Sequence, residues 1–388
     1  MKLPYTDIGI VGGGLVGALL ALLLAREGYS VLMVEKKILR DVPAEDLLDT
    51  RTLGLSYGTV TLFQEWGFAD AILKNGVPVT HIHVSDQGQS GIVNIDAKNE
   101  GLPHLGYSVS FNRLLATMQK KVGDHPHIQC LEGVVSDVSF NVDKAEVTVE
   151  GQVYPVKLLI GADGADSIVR KKMGVGLKEH DYGQTALIGK ISCARGKPGW
   201  AFERFTKEGP LALLPHQDNT MTLVWAMPSS LAKMRSQLPE SVLCQDLQKM
   251  MGYRAGIFQA LGHLLAYPLK RLTSEQIFQG CVGLLGNAAH LLHPVAGQGF
   301  NLSVRDVLIL IEVVRRRGKS GLSAEIWPEY AALSHTQQRM ITGVTGSFLN
   351  VFERTEAPIR WGRSTALHAL EHLPFIKSGL NDLLIGRV

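Results

Sequence analysis

Three hydrophobic patterns divide the chain. Continuous apolar runs mark buried strands, alternation marks half-buried strands, and 3.6-residue spacing marks helices. Asp7 to Val11 reads as a buried strand, followed by a helix from about Leu15 to Glu27 closed by Gly28, and by a strand from Ser30 to Val34 that ends on Glu35. The helix is apolar nearly all round, which predicts burial on both sides. A helix is expected from Tyr57 to Trp66, with Gly67 as its stop. Thr80 to Ser85 and Gly91 to Ile95 alternate like strands about an Asp86-Gln87-Gly88-Gln89 turn. Gly106 to Ser110 is strand-like, and a helix runs from Asn112 to Val122. Ile128 to Val156 predicts a small antiparallel meander that feeds a strand over Lys157 to Ile160.

Residues 180 to 270 hold alternating segments (Gln184 to Ser192, Ala201 to Phe205, Leu211 to Leu214, Thr220 to Trp225) and helix-like runs (Ser229 to Leu238, Glu240 to Met250). A short apolar strand, Val282 to Leu285, gives way to a loop, and Gly297-Gln298-Gly299 opens a long helix that stops at Gly318. His335 to Val388 is largely helical in pattern. The expected fold class is α/β. A Rossmann-like domain with a parallel sheet and a small antiparallel meander is interrupted by an α+β substrate domain with a mostly antiparallel sheet. The first domain is assigned 1–76, 101–179 and 276–334, the second 77–100 and 180–275, and a C-terminal helical segment 335–388.

Composition narrows the function classes. The 388 residues are 45% hydrophobic and 19% charged, enough for two domains and a large core. A net charge of +3 is too small to argue for nucleic acid. Cys130, Cys193, Cys244 and Cys281 stand far apart with no CxxC pair, which argues against a metal site or disulfide framework and suits a reducing compartment. Residues 8 to 25 are apolar enough to resemble a signal or membrane span. The start carries only Lys2 as a basic residue, however, and the glycines have a spacing with its own explanation.

That spacing is Gly12, Gly14 and Gly17, between a strand and a helix, with Glu35 about 20 residues on. In this setting the first glycine allows a tight turn, the second admits a pyrophosphate, and the third lets helix and strand pack closely. Glu35 would accept hydrogen bonds from a ribose hydroxyl. A second turn, GADGADSIVR (Gly161 to Arg170), and a third, GNAAHLLHPVAGQGFNLSVRD (Gly286 to Asp306), also stand where strands end. Glycines there bring backbone N–H groups close to a ligand at the positive end of a helix dipole. Arg51 precedes a helix, and Arg113 lies in a helix's first turn, where an anionic partner would rationalise a cation. Neither arginine identifies a site by itself.

The ordered set of three motifs resembles the FAD-dependent aromatic-ring monooxygenases of the para-hydroxybenzoate hydroxylase fold, over almost the whole chain. HPVAGQGFNLSVRDV is similar to the signature of the ubiquinone-biosynthesis hydroxylases. HIHVSDQGQSG, AFERFTKEGPLALLP and the tail GVTGSFLNVFERTEAPIRWGRSTALHAL resemble the 2-octaprenyl-6-methoxyphenol hydroxylases among them. Asn287 stands where the wider family usually has Asp. It still accepts a ribityl hydrogen bond while removing a charge.

The resemblance implies FAD as cofactor and NAD(P)H as a transient co-substrate, in keeping with the lack of a second GxGxxG. Reduced flavin would take up O2 as a hydroperoxide and pass one oxygen to the ring of a prenylated phenol. It also implies that Arg51 and Arg113 lie along the FAD, that Asp163 and Asn287 contact its polar middle, and that Gly297, Gln298, Gly299 and Asn301 present N–H groups beside the ring. No catalytic base is evident. His290, His293 and His216 are candidates by residue type, with His293 nearest the Pro294 loop, and for each a hydrogen-bonded loop role is the ordinary alternative. A cytoplasmic location is implied, with peripheral contact at the inner face of the cytoplasmic membrane through the segment from Arg360 onward. Membership of a multiprotein quinone-biosynthesis complex also follows. Three other readings stay open: another flavoprotein reaction on the same fold, such as hydroxylation at a different ring position or prenyl reduction; a non-catalytic FAD-binding scaffold subunit; and a nicotinamide dehydrogenase.

Overall fold

The computed structural model describes residues 6–39, 51–74, 76–217, 219–291, 298–335 and 386. The first strand, β1 (Thr6–Val11), enters α1 (Leu15–Arg26), and β2 (Val31–Glu35) follows. Asp7 N–H donates to Ser30 Oγ and Ser30 N–H returns a bond to Asp7 Oδ2, both at 2.9 Å, which fixes where β1 and β2 begin to pair. Next come β3 (Thr52–Ser56), α2 (Tyr57–Glu65), α3 (Ala69–Leu73), β4 (Gly76–Val79), β5 (His81–Asp86), β6 (Ile92–Asp96) and β7 (Gly106–Ser110). The amphipathic α4 (Phe111–Gly123) leads to β8 (Ile128–Glu132), β9 (Val135–Phe140), β10 (Ala145–Val149), β11 (Gln152–Gly161) and the short α5 (Ile168–Lys172).

The second half opens with β12 (Leu177–Ala194), β13 (Trp200–Phe205), β14 (Pro210–Pro215) and β15 (Thr220–Pro228). Helices α6 (Ser229–Arg235) and α7 (Glu240–Met251) follow. The chain then forms β16 (Ile257–Leu261), β17 (Leu265–Ser274), β18 (Phe278–Gln279), β19 (Val282–Leu284), β20 (His290–Leu291) and the long α8 (Gln298–Arg317).

These strands form three sheets. In the first, β19, β11, β1, β2 and β8 lie side by side and parallel, with β18 at one edge and β9 and β10 extending β11. The second runs β20-β17-β12-β15-β14-β13-β5-β6, with β16 also on β12. It is antiparallel apart from the parallel β13–β5 pair. The third is the small antiparallel β3-β7-β4.

One expectation needs correction. Ile128 to Glu132 is not in the antiparallel meander. It pairs parallel with β2, from Val31↔Ile128 to Glu35↔Glu132. Alternation reports that a strand has two different faces but not which way its neighbour runs. Two of the expected joints fall inside elements: the one at 179/180 lies within β12, and the one at 76/77 lies within β4, which pairs with β7. Residues 290 and 291 pair with β17, so the third motif is joined directly to the second sheet. The helical pattern from His335 onward lies outside the described residues, apart from His335 and Gly386.

The main core surrounds α1, whose residues from Gly17 to Ala25 are all buried. A helix apolar on every side needs neighbours on every side, and α4 and α8 both pack against it. A second core lies between one face of the large sheet and α7, built on Phe202, Leu213, Leu223 and Trp225. Trp327, fully buried, rests flat on β19: a Cβ added to Gly283 would stand 2.3 Å from its ring. Gly283→Ala should therefore cost about 1–3 kcal/mol in chemical denaturation through overpacking. Gly123→Ala, whose methyl meets open space at the end of α4, should be neutral or stabilising by up to about 1 kcal/mol.

Candidate functional site

The first motif separates packing from openness, glycine by glycine. Gly12 has φ +102°, in the region that favours glycine, and its N–H donates to Val34 O at 2.8 Å. A Cβ on Gly17 would lie 1.9 Å from Gly12 O, so α1 seats its first turn directly on the backbone that precedes it. A Cβ on Gly14 would meet nothing within 4 Å. Gly14 caps α1 with no side-chain bond, so the free N–H groups of the first turn face that open space. This is the geometry that accepts a phosphate.

Glu35 closes the turn from the other side. Its Oε2 accepts the Gly13 N–H at 2.5 Å and its Oε1 accepts the Lys37 N–H at 3.3 Å. A carboxylate has further lone pairs, so a sugar diol can still be received. Sequence reasoning missed Gln119 on α4. It is almost fully buried; its Nε2 donates to Gly13 O at 2.7 Å and its Oε1 accepts the Leu39 N–H at 2.7 Å. The signal was a polar residue at core spacing, four after Leu115 and one after Met118, on an otherwise apolar helix face.

The second and third motifs are joined by one arginine. Arg170 is 4% exposed, and its guanidinium donates to Ala165 O at 2.6 Å and to Ala288 O at 2.8 Å. Asp163 Oδ2 accepts the N–H groups of Ile168 (2.7 Å) and Val169 (3.2 Å), while its Oδ1 is buried with no partner among the described residues. Leaving such an oxygen unmatched costs about 1–3 kcal/mol, and a hydroxyl-rich ligand would match it. Gly286 packs against Val16 of α1, where an added Cβ would be 3.2 Å from Val16 Cγ2. Between buried Gly286 and Ala288, Asn287 alone is exposed.

At the head of α8 the side chain of Asn301 is committed to the fold. Its Oδ1 accepts the Ser56 N–H at 3.0 Å and its Nδ2 donates to Gly54 O at 2.9 Å. Gly299 opens onto space free of atoms within 4 Å of an added Cβ. His293 and Gly297 lie outside the described residues, as does the Gln298 side chain. His290 is buried against Asp306, Nε2 to Oδ2 at 2.6 Å. His216 sits in the turn before β15, with its ring nitrogen 3.2 Å from Thr220 Oγ1.

Arg51 and Arg113 both stand at the head of α4. The Arg51 guanidinium lies 4.3 Å from the Phe111 ring centroid, and Phe111 N–H donates to Arg51 O at 3.1 Å. The field of Arg113 reaches Lys190 on β12, whose ammonium is pushed below the usual lysine range by burial first and by Arg113 second. Positive charge therefore gathers where a helix dipole already favours an anion. From here β3 crosses to the large sheet: Thr52 Oγ1 and Thr222 Oγ1 are 2.7 Å apart, and a Cβ on Gly54 would be 3.9 Å from Leu214. Beneath lies a half-buried, largely apolar floor of Ile188, Ala212, Leu214 and Val224.

The cradle, the orphaned Asp163 oxygen and the cationic head of α4 together fit an extended, anionic, hydroxyl-bearing cofactor, and the FAD binding domain family matches residues 5–323. The chain belongs to that family. FAD supplies the pyrophosphate, ribose and ribityl hydroxyls for which these residues offer partners. Ubiquinone hydroxylase UbiL of Rhodospirillum rubrum is 30% identical over 98% of this chain and 90% of its own length. The 3-demethoxyubiquinol 3-hydroxylase of Escherichia coli is 31% identical over 96% of each chain. The p-nitrophenol 4-monooxygenase PnpA of Pseudomonas putida superposes with a TM-score of 0.77 at 17% identity, covering 98% of both chains, and so shares the fold. Gly14→Ala should leave thermal stability unchanged and weaken FAD retention about tenfold or more. Gly17→Ala should lower both, with about 1–3 kcal/mol lost from stability. Thermal melts beside flavin absorbance after desalting measure the two effects.

Proposed function

We propose that this chain is an FAD-dependent, NAD(P)H-using monooxygenase that hydroxylates the ring of a prenylated phenol in ubiquinone biosynthesis. The observation that carries the reading is the apolar floor beside the head of α8, reached through β3. It offers a phenol ring a flat aliphatic bed and a prenyl chain further apolar surface. Bound FAD, reduced by NAD(P)H, supplies an oxygen atom drawn from O2. In this reading Gly12, Gly14, Gly17 and Glu35 hold the ADP half. Arg51, Arg113, Asp163 and Asn287 line the remainder, and backbone N–H groups from Gly297 to Asn301 polarise the ring end. Arg170 and Gln119 position these groups by fixing the backbone beneath them. The names of the UbiL and 3-demethoxyubiquinol 3-hydroxylase relatives support the substrate class.

FAD-loaded protein should consume oxygen with NAD(P)H faster when a short-chain prenylated phenol is added, and mass spectrometry should find that phenol one oxygen heavier. Oxygen consumption that ignores the phenol, with no product, would overturn the reading and favour a structural flavin. Product analysis also fixes the ring position.

A prenylated substrate resides in lipid. No helix among the described residues is long and apolar enough to cross a membrane. Peripheral contact through the segment from Arg360 onward, with its interspersed arginines and leucines, is the proposed route. Deleting that segment should abolish flotation with anionic liposomes, and unchanged flotation would sink this part.

A further inference from the structure

Strands of the large sheet send alternate side chains to opposite sides. On one side Phe202 enters the core against α7, and Arg204 reaches Met250 O at 2.6 Å and Ser85 Oγ at 2.9 Å. Between them Glu203 must point the other way, onto the floor. Direct pairing aligns it with Ala212, Val224 and Ile188 across four strands, and with Val84 of β5 on its other side. All four members of the floor row are half-buried, whereas their neighbours on the opposite side are buried. The row is an open wall facing β3, with one carboxyl in it.

That carboxyl has no ion pair or hydrogen bond among the described residues. Its strand neighbours are an alanine and a valine. By pairing, the nearest charged residue is Asp86 on the adjacent strand β5, two positions past Val84; Lys190 of β12 lies three strands away beside Thr222, with Arg113 of α4 in electrostatic reach of it. Asp86 is buried at the end of β5, and Tyr57 of α2, with His104 beside its ring, packs with Ile82 and Val84 against the cluster of Val93, Ile95, Ala97 and Leu105. None is directly opposite Glu203 in the ladder, whose paired residues are Ala212 and Val84. Burial alone pushes the Glu203 carboxyl up to about 7. A lone acid in an apolar wall costs stability unless something brought into the chamber matches it.

We propose that Glu203 is the residue that receives the substrate's phenolic hydroxyl: its carboxylate accepts the O–H hydrogen bond and then the proton. The phenol O–H bond breaks, its electron pair stays on the phenolate oxygen, and the proton forms a new O–H bond on Glu203. No electron leaves or enters either partner. The phenolate pushes electron density into the ring, which makes a ring carbon a better acceptor of an electrophilic oxygen. An acid that titrates near neutrality suits this task. The inference rests on the phenol-hydroxylase reading above.

The test uses FAD-loaded protein with two probes, a short-chain prenylated 2-methoxyphenol and its O-methyl ether. Wild-type protein should bind the phenol more tightly than the ether. Glu203→Leu should weaken the phenol about tenfold or more and leave the ether unchanged, because only the phenol loses a hydrogen-bond partner. Glu203→Gln, nearly isosteric, should keep flavin absorbance, slow hydroxylation about 100-fold, and flatten the rise of kcat/KM through pH about 7.

Thermal melts add a reading that needs no ligand. A carboxyl raised above its ordinary value of 4.5 stabilises the fold fully below that pH, and the contribution is lost as pH rises through about 7. The melting temperature of Glu203→Gln should therefore gain on wild type between pH 5 and pH 8. Unchanged rate and pH profile in Glu203→Gln, equal weakening of both probes by Glu203→Leu, or a melting difference that ignores pH would each overturn the inference. A wild-type protein that prefers the phenol yet never hydroxylates it would instead overturn the function and leave the Glu203 contact standing.

Discussion

Everything in this molecule hangs on how closely α1 approaches the backbone of its own preceding turn. The 1.9 Å separation between Gly12 O and a Cβ imagined on Gly17 leaves room for hydrogen and nothing else. That approach lays α1 flat on the parallel sheet, and it lets a helix with no polar face be covered on every side. It also aims the first-turn N–H groups at the gap beside Gly14. Cofactor cradle and core are thus one constraint seen from two sides. The helix dipole is useful only because the packing holds its end still.

The remaining parts are fastened to this base by a few buried polar side chains. Gln119 ties α4 to the Gly13 turn, Arg170 ties the second motif to the third, and Asn301 ties α8 to β3. Each bond joins segments distant in sequence, and all three residues are buried, where an unmatched partner would be costly. Together they set the distance between the cofactor path and the floor of the large sheet. The half-buried side of that sheet is a broad apolar surface that β3 leads onto. Its wall carries a carboxyl at Glu203 rather than another aliphatic residue.

Much of this was legible in the chain. Strand and helix positions followed from periodicity, and the glycine spacing of the first motif named its ligand class. What could not be read was direction and partnership. Ile128 to Glu132 alternates as an antiparallel strand does, yet it joins the parallel sheet, because pairing direction is decided by the crossover through α4. Asn301 stood in a motif associated with the flavin ring, while its side chain is spent on Gly54 and Ser56, a contact made between residues more than two hundred positions apart. Glu203 drew no notice inside AFERF. Its meaning comes from which side of the sheet it faces, and that depends on where Phe202 and Arg204 find their partners.

The parallel sheet has a consequence for how the chain is made. Strand β11 pairs with β1 on one edge and β19 on the other, from Leu159↔Val282 to Gly161↔Leu284. During synthesis the first edge is available early, but the second stays bare until the intervening sheet has emerged. A parallel pairing of such long range is slow to form, and a bare apolar strand edge is an invitation to association with other chains. The nascent protein therefore passes through a stage in which half of its cofactor domain is folded and unsealed. Arg170 cannot reach Ala288 O until that stage ends. The bond that ties the second motif to the third is thus among those that wait for sequence more than a hundred residues downstream.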